Sequence, residues 1–379
     1  MNDYKYIIIG AGFLGATVAE RIANVLNEEV LILEKRNHLG GNCHSQCDPK
    51  SGIEYHTYGT HIFHTSNPEV WEYINKFTTF NSYRHQVLTT YNGKVYQMPI
   101  NLETINSFYN INLKPYEVEE FLNKEIKKAN IRNPDNFETM GISLIGKPLY
   151  EAFIQGYTKK QWGKDPKSLP ASIIKRLPFK KNYDESYYRS FWQGIPFNGY
   201  GAIFKKMLSN PKIKVNLNTD FLKIRDKINP KSTIIYSGPI DQLFNYCFGK
   251  LEWRSLRFEH KYIDVDDYQG TSVMNYAEES IPYTRIHEWK HLHPEREEIY
   301  RKNITLITKE YSIKDNGEDP YYPIGGDKNR EILAKYNNEA KKLKNFIIGG
   351  RLGEYKYHDM HQTIAKGLEI FNSIKNRYD

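Results

Sequence analysis

The chain has 379 residues, of which 39% are hydrophobic and 14% aromatic, enough for two or three lobes with a real core and too much for a low-complexity disordered protein. No apolar run reaches the roughly 18 residues of a membrane span, and the stretch from Tyr6 to Val18 is broken by glycines and lacks a small-residue cleavage site, so neither a span nor a signal peptide is expected. Lys and Arg total 53 against 45 Asp and Glu, a net +8 that suits nucleic acid, an acidic membrane or a phosphorylated small molecule, while three cysteines form no disulfide framework and suit a reducing cytoplasm.

YKYIIIG (4–10) reads as a buried strand stopped by glycine. Leu14, Val18, Ile22, Val25 and Leu26 then recur at helical spacing, and EVLILE (29–34) is a second strand. Strand, tight turn, helix and strand within about thirty residues make a βαβ unit and imply a parallel sheet. From about 100 to 177 the pattern is helical and charged. Strand-like runs return at 214–218, 232–239 and 303–311. NFIIGGR (345–351) ends in two glycines, and a helix follows in which Ile364, Leu368, Phe371 and Ile374 share a face. A nucleotide-binding domain assembled from both chain ends is expected.

Gly10-Ala11-Gly12-Phe13-Leu14-Gly15 is a G-x-G-x-x-G after a strand and at the start of a helix. Gly10 allows the tight turn, Gly12 the approach of a pyrophosphate to the helix N-terminus, and Gly15 close helix–strand packing. Glu34 ends the next strand, where a carboxylate accepts from ribose hydroxyls, which disfavours a 2′-phosphate. Gly40-Gly41-Asn42 beyond it and Gly349-Gly350 near the end resemble the glycine pairs of FAD-binding oxidoreductases, a resemblance that favours FAD over NAD.

Further strings are GTHIFHT (59–65), GYTKKQWG (156–163), LPASIIKRLP (169–178), YSGPID (236–241), PYTRIHEWK (282–290), YYPI (321–324) and GGRLGEYKYHDMHQTI (349–364). With the fingerprint, and in this order from residue 4 to about 372, they resemble the bacterial UDP-galactopyranose mutases. The resemblance implies an α/β fold: a Rossmann-like FAD-binding domain (1–78, 198–242 and 340–379), an antiparallel β-sheet domain (79–99, 178–197 and 243–339) and a helical insert domain with a mobile substrate loop (100–177). It implies a cytoplasmic, commonly dimeric isomerase that supplies furanose sugars for cell-surface polysaccharide. Its FAD must be reduced, with NAD(P)H or reduced flavin as reductant. Flavin N5 then attacks the anomeric carbon of a UDP-sugar, displaces UDP, and the opened adduct recloses as a furanose without net redox change.

The same resemblance assigns residues. Arg176 and Arg285 are the diphosphate-binding arginines, a task suited to a permanently charged planar fork. Tyr187, Tyr322 and Tyr357 donate hydroxyls to the diphosphate, Tyr157 and Trp162 face the uridine, and Phe153 and Asn275 make further nucleotide contacts. His61, rather than His64, is favoured as the histidine against the flavin, beside Ile62. Phe13, Leu14, Lys35, Gly41 and Asn42 join the glycines and Glu34 in the cofactor site. Phe221 offers its backbone to adenine, Gly350 and Arg351 hold the pyrophosphate, and Asp359 and Met360 start the helix at the pyrimidine ring. Thr60, His85 and Ile154 depart from the commonest family pattern. His85 is counted as a substrate contact, and UDP-N-acetylgalactosamine or TDP-fucose stands as an alternative substrate. Two readings of other classes share the fold: a conventional FAD-dependent oxidoreductase, and a non-catalytic binding protein of the GDP-dissociation-inhibitor type. The Cys43-His44-x-x-Cys47 string has no second ligand pair, and His287, His291 and His293 no carboxylate pattern; no metal is expected and the latter three read as surface. The eight basic residues from Lys159 to Lys181 read as mostly solvated, without nucleic acid.

Overall fold

The computed structural model describes residues 4–176 and 179–376, without the side chains of Lys175 and Arg176. Five parallel strands form the first sheet, in the order Phe346–Ile348, Thr233–Tyr236, Tyr6–Ile9, Val30–Leu33, Ile213–Asn216. The two strands read first in the sequence are buried along their whole length, as parallel strands covered on both faces must be. The period of two splits them cleanly. Ile8, Ile32 and Ile235 face the helices Phe13–Arg21, Gly199–Met207 and Met360–Lys375. Ile7, Leu31, Leu33, Ile234 and Tyr236 face Phe221, Ile228 and Leu243 on the other side. Strands from both ends of the chain thus build one sheet, with Tyr6–Ile9 at its centre.

A second sheet has seven strands, in the order Tyr322–Pro323, Trp253–Ile263, Thr305–Lys314, Arg285–Glu288, Val273–Tyr276, Val87–Tyr91, Lys94–Met98. It is antiparallel except where Val273–Tyr276 runs parallel to Val87–Tyr91. In the segment 178–197, expected in the domain of this sheet, Trp192–Gly194 pairs with Phe63–Thr65 in a two-stranded sheet of its own. The helix Asp327–Ala340, expected in the same domain, places Tyr336 and Ile332 against Ile240, Leu251 and Leu352.

Helices fill the stretch between Leu102 and Trp162. Asn101 and Asn136 each close a reciprocal capping box, with Thr104 and Thr139, which fixes where Leu102–Tyr109 and Phe137–Ile145 start. The segment Lys147–Trp162 is one helix widened at Glu151–Gln155 into a π turn. No helix among the described residues is long and apolar enough to cross a membrane.

Candidate active site

The parallel sheet determines where a ligand can sit. Ile9–Gly10, Leu33–Glu34 and Tyr236–Ser237 end three neighbouring strands, and Gly350 follows a fourth; all line one cleft of about 300 Å³. A cleft outside the carboxyl ends of parallel strands is where doubly wound folds bind nucleotides. Gly10 adopts φ +101°, and a Cβ there would meet Ser237 Oγ at 2.4 Å. Gly12 caps the helix Phe13–Arg21 and lines the cleft. Gly15 does not line it: its Cβ position lies 2.0 Å from the Gly10 carbonyl oxygen, so its role is to let helix and strand touch.

Glu34 is 5% exposed. Its carboxylate accepts from the Ala11 N–H at 2.8 Å and the Arg36 N–H at 2.9 Å, which holds it at the rim of the cleft. Phe13, Leu14, Lys35, Gly41, Asn42, His61, Ile62, Phe221, Arg351, Tyr357, Asp359 and Met360 line the same cleft. Lys35 donates to the Glu318 carbonyl, and Asn42 accepts from Arg36. Burial, with Arg351 nearby, pushes the His61 imidazole down to about 4. His64 also lines the cleft, stacks on Tyr188 at 3.8 Å and is pushed down by burial to about 4. Both rings are neutral at pH 7.

These residues fit a flavin dinucleotide: a glycine-opened helix N-terminus for the pyrophosphate, a buried acid for the ribose, and a long groove. The Tyr321 hydroxyl and His358 Nδ1, on two cleft-lining residues, are buried and have no protein partner, as polar atoms kept for a ligand would be.

The second sheet supplies the other wall. Register puts Thr89, Asn275, Arg285, Glu310 and Phe258 in one row across five strands. Arg285 Nε lies 3.2 Å from Glu310 Oε1, an ion pair without hydrogen-bond alignment, and Nη2 donates to the Tyr157 hydroxyl. Asn275 Oδ1 and Arg285 Nε are buried and make no hydrogen bond to the described residues. Glu310 also accepts from His287 Nε2 at 2.9 Å. Burial works against the Glu310 charge, but Arg285 and His287 outweigh it and hold the carboxyl below its usual range. The same carboxylate pushes the Arg285 guanidinium up against its own burial. Burial lowers His287, so the ring is neutral. With Nε2–H donated to Glu310, its Nδ1 accepts the Thr60 hydroxyl proton at 2.6 Å.

Tyr322 and Tyr357 stack at 6.0 Å between centroids beside Arg351, which lies 5.6 Å from the Tyr357 ring. Tyr187 is 38% exposed and sits edge-on to His85, close enough to Arg285 and Tyr157 to act on their ionisation. His85 is buried, bonds Tyr83 and is pushed down to about 3 by burial.

Several expectations need correction. Phe153 does not line the cleft: it is 2% exposed and packs among Tyr91, Tyr96 and Phe108. Trp162 packs against that core too. Tyr157, whose ring is expected to face a base, also accepts from Arg285 Nη2 through its hydroxyl. His287 is fully buried and His293 is 5% exposed, so neither is a surface residue. Lys160 and Lys180 are not solvated; Lys180 is 6% exposed and donates to Ser186. The Arg176 side chain lies outside the described residues, although the 3-10 turn Ala171–Arg176 that carries it is present. Glu310 and Tyr188 were not singled out as site residues, and Thr60 was named only as a departure from the family pattern; the signal for Glu310 was an arginine in need of an acid one strand away.

Fold and cleft together define a dinucleotide-binding enzyme whose second wall carries the Arg285–Glu310 ion pair. The UDP-galactopyranose mutase family model matches residues 152–357, and an NAD(P)-binding Rossmann-like domain model matches residues 8–77. The chain is 40% identical over 370 residues to the dTDP-fucopyranose mutase of Escherichia coli, covering 96% of this chain and 97% of that one. It is also 40% identical over 382 residues to the probable UDP-galactopyranose mutase of Klebsiella pneumoniae, covering 100% and 97%. A crystal structure of reduced UDP-galactopyranose mutase superposes with TM-score 0.75 at 15% identity, over 98% of this chain and 96% of that one. Wild-type putrescine oxidase shares the fold at TM-score 0.56 and 10% identity, over 99% of each chain. The chain belongs to the UDP-galactopyranose mutase family and is an isomerase of the mutase type.

Proposed function

We propose that the protein interconverts the pyranose and furanose forms of a nucleotide sugar, with a reduced FAD in the cleft. The observation that carries this reading is Arg285: a half-buried guanidinium, paired to Glu310 and Tyr157, on the wall that faces the carboxyl ends of the parallel strands. A simple oxidase has no use for such a cation, whereas a reaction that expels a nucleoside diphosphate must stabilise the departing charge. When bound, the reduced flavin supplies the nucleophile for the anomeric carbon.

The chain's own residues do the rest. Arg285, joined by Arg176 from the turn Ala171–Arg176, holds the diphosphate. Tyr187, Tyr322 and Tyr357 line its path as uncharged donors. Neutral His61 and His64 add no positive charge beside the cofactor. Thr60, its proton committed to His287, offers only an acceptor and a methyl group to the sugar side of the cleft.

Relatives at equal identity are named for dTDP-fucopyranose and for UDP-galactopyranose. UDP-galactopyranose is the substrate we favour, with dTDP-fucopyranose and UDP-N-acetylgalactosamine as the alternatives. The experiment gives each sugar nucleotide to dithionite-reduced protein and compares kcat/KM from separated ring forms. The expected order puts UDP-galactopyranose at least tenfold ahead. A tenfold lead for dTDP-fucopyranose would replace the substrate and keep the reaction.

A further inference from the structure

Lys160 sits on the helix Gly156–Trp162, three residues after Tyr157, inside a run that reads as solvated charge. Its ammonium donates to four backbone carbonyls: Tyr276 at 2.7 Å, Glu278 at 2.8 Å, Ile281 at 2.9 Å and Tyr283 at 3.0 Å. Three protons serve four acceptors, so the ammonium is fully occupied by the chain. Three of these carbonyls belong to the turn that joins Val273–Tyr276 to Arg285–Glu288, and the fourth to Tyr276, the strand residue that enters it. These strands carry Asn275 and Arg285, which lie opposite each other in register.

The helix has no freedom to settle elsewhere. A Cβ on Gly156 would meet the Ala277 carbonyl at 2.5 Å, so the helix backbone lies directly on the same turn. At the other end Arg254 donates through Nε to the Gln161 carbonyl at 3.0 Å and through Nη2 to the Lys160 carbonyl at 3.4 Å. Ser312 donates to the Gln161 carbonyl at 2.5 Å. Tyr157, between these anchors, meets Arg285 Nη2 with its hydroxyl.

We propose that Lys160 is a positioning residue for the mutase reaction, whose ammonium closes the 276–283 turn and thereby sets Arg285 and Asn275 in register with Tyr157. It touches neither substrate nor cofactor. It fixes the distance between the helical wall and the sheet wall, and with it the direction of the one described guanidinium on the diphosphate side. A methylene chain of the same length without the charge leaves the carbonyls unpaired, lets the turn open and costs substrate binding before chemistry.

The inference rests on the nucleotide-sugar reading, and the test separates the two. Lys160→Met is compared with wild type and with Lys167→Met, a lysine whose side chain is 68% exposed. Measured are kcat, KM, bound flavin and melting temperature. For Lys160→Met the expectation is a KM raised at least tenfold, kcat lowered less than threefold and full flavin content, with Lys167→Met unchanged. A KM within twofold of wild type overturns the role of Lys160. An inactive wild type overturns the nucleotide-sugar reading instead. Should Lys160→Met not fold, Lys160→Gln, which keeps two donors, is expected to fold with an intermediate KM; if both are insoluble, the lysine is an element of the fold alone and the proposal fails.

Discussion

Arg285→Ala is expected to lower kcat by roughly 10³-fold while the protein keeps its flavin, since removal of one preorganised charge-stabilising donor costs about 2.7–4 kcal/mol in the transition state. The guanidinium offers five N–H groups, of which the Tyr157 hydroxyl takes one; Nε–H has no aligned acceptor in the chain. Arg285 lines the cleft where a diphosphate would part from the sugar. Alanine also strips Glu310 of its cation. That carboxylate is 2% exposed, and an unpaired buried charge costs about 3–5 kcal/mol unless its neighbour takes up a proton. His287, already 2.9 Å away, is placed to do so. Some loss of melting temperature therefore accompanies the loss of turnover. Arg285→Lys keeps the charge without the fork and should fall between. Turnover and bound-flavin absorbance read the outcome. A decrease of less than tenfold would remove Arg285 from the chemistry, and a colourless protein would place it in the cofactor half of the cleft.

The second large effect separates two glycines three residues apart. A Cβ on Gly12 finds nothing nearer than the Gly40 carbonyl at 3.9 Å, and φ of −80° suits alanine. Gly12→Ala should fold normally and melt within a few degrees of the wild-type apoprotein. Its methyl group, however, occupies the approach of the pyrophosphate to the helix N-terminus, so flavin affinity should fall at least 10²-fold, about 2.7 kcal/mol. Gly15→Ala has the opposite signature. Its Cβ would sit 2.0 Å from the Gly10 carbonyl oxygen and 3.0 Å from Ile8 Cγ2, at the centre of the parallel sheet. Helix and strand must separate, and the expected result is insoluble protein or a melting temperature lowered by ten degrees or more. Equal melting temperatures for the two variants would contradict the packing described.

What was legible beforehand was local. The strand–glycine–helix–strand unit at 6–33, Glu34 behind it and the closing strand before Gly349-Gly350 all announce themselves within short windows, because backbone turns and periodicity are properties of neighbours in sequence. What escaped depends on strands far apart in sequence. Glu310 becomes a site residue only when Thr305–Lys314 pairs with Arg285–Glu288. His287 turns from apparent surface to fully buried by the same pairing. Lys160 looked like one more charge in a basic run, since nothing in the run reveals that four carbonyls from 276–283 surround it. Phe153 is a related case: it is buried against Tyr91, Tyr96 and Phe108, rings from segments well separated from it in sequence. The parallel pairing of Val273–Tyr276 with Val87–Tyr91 joins segments some 185 positions apart, which no local pattern signals.

The central claim is that the cleft isomerises a nucleotide sugar and consumes no electrons in doing so. Its most direct test is a single anaerobic measurement: the holoprotein, fully reduced and separately fully oxidised, is incubated with UDP-galactopyranose, and the furanose and pyranose forms are separated while the flavin absorbance is followed. The account predicts ring interconversion over many turnovers by the reduced protein alone, with its flavin still reduced at equilibrium. Equal turnover by the oxidised protein, or stoichiometric reoxidation of the flavin as sugar is consumed, would contradict it.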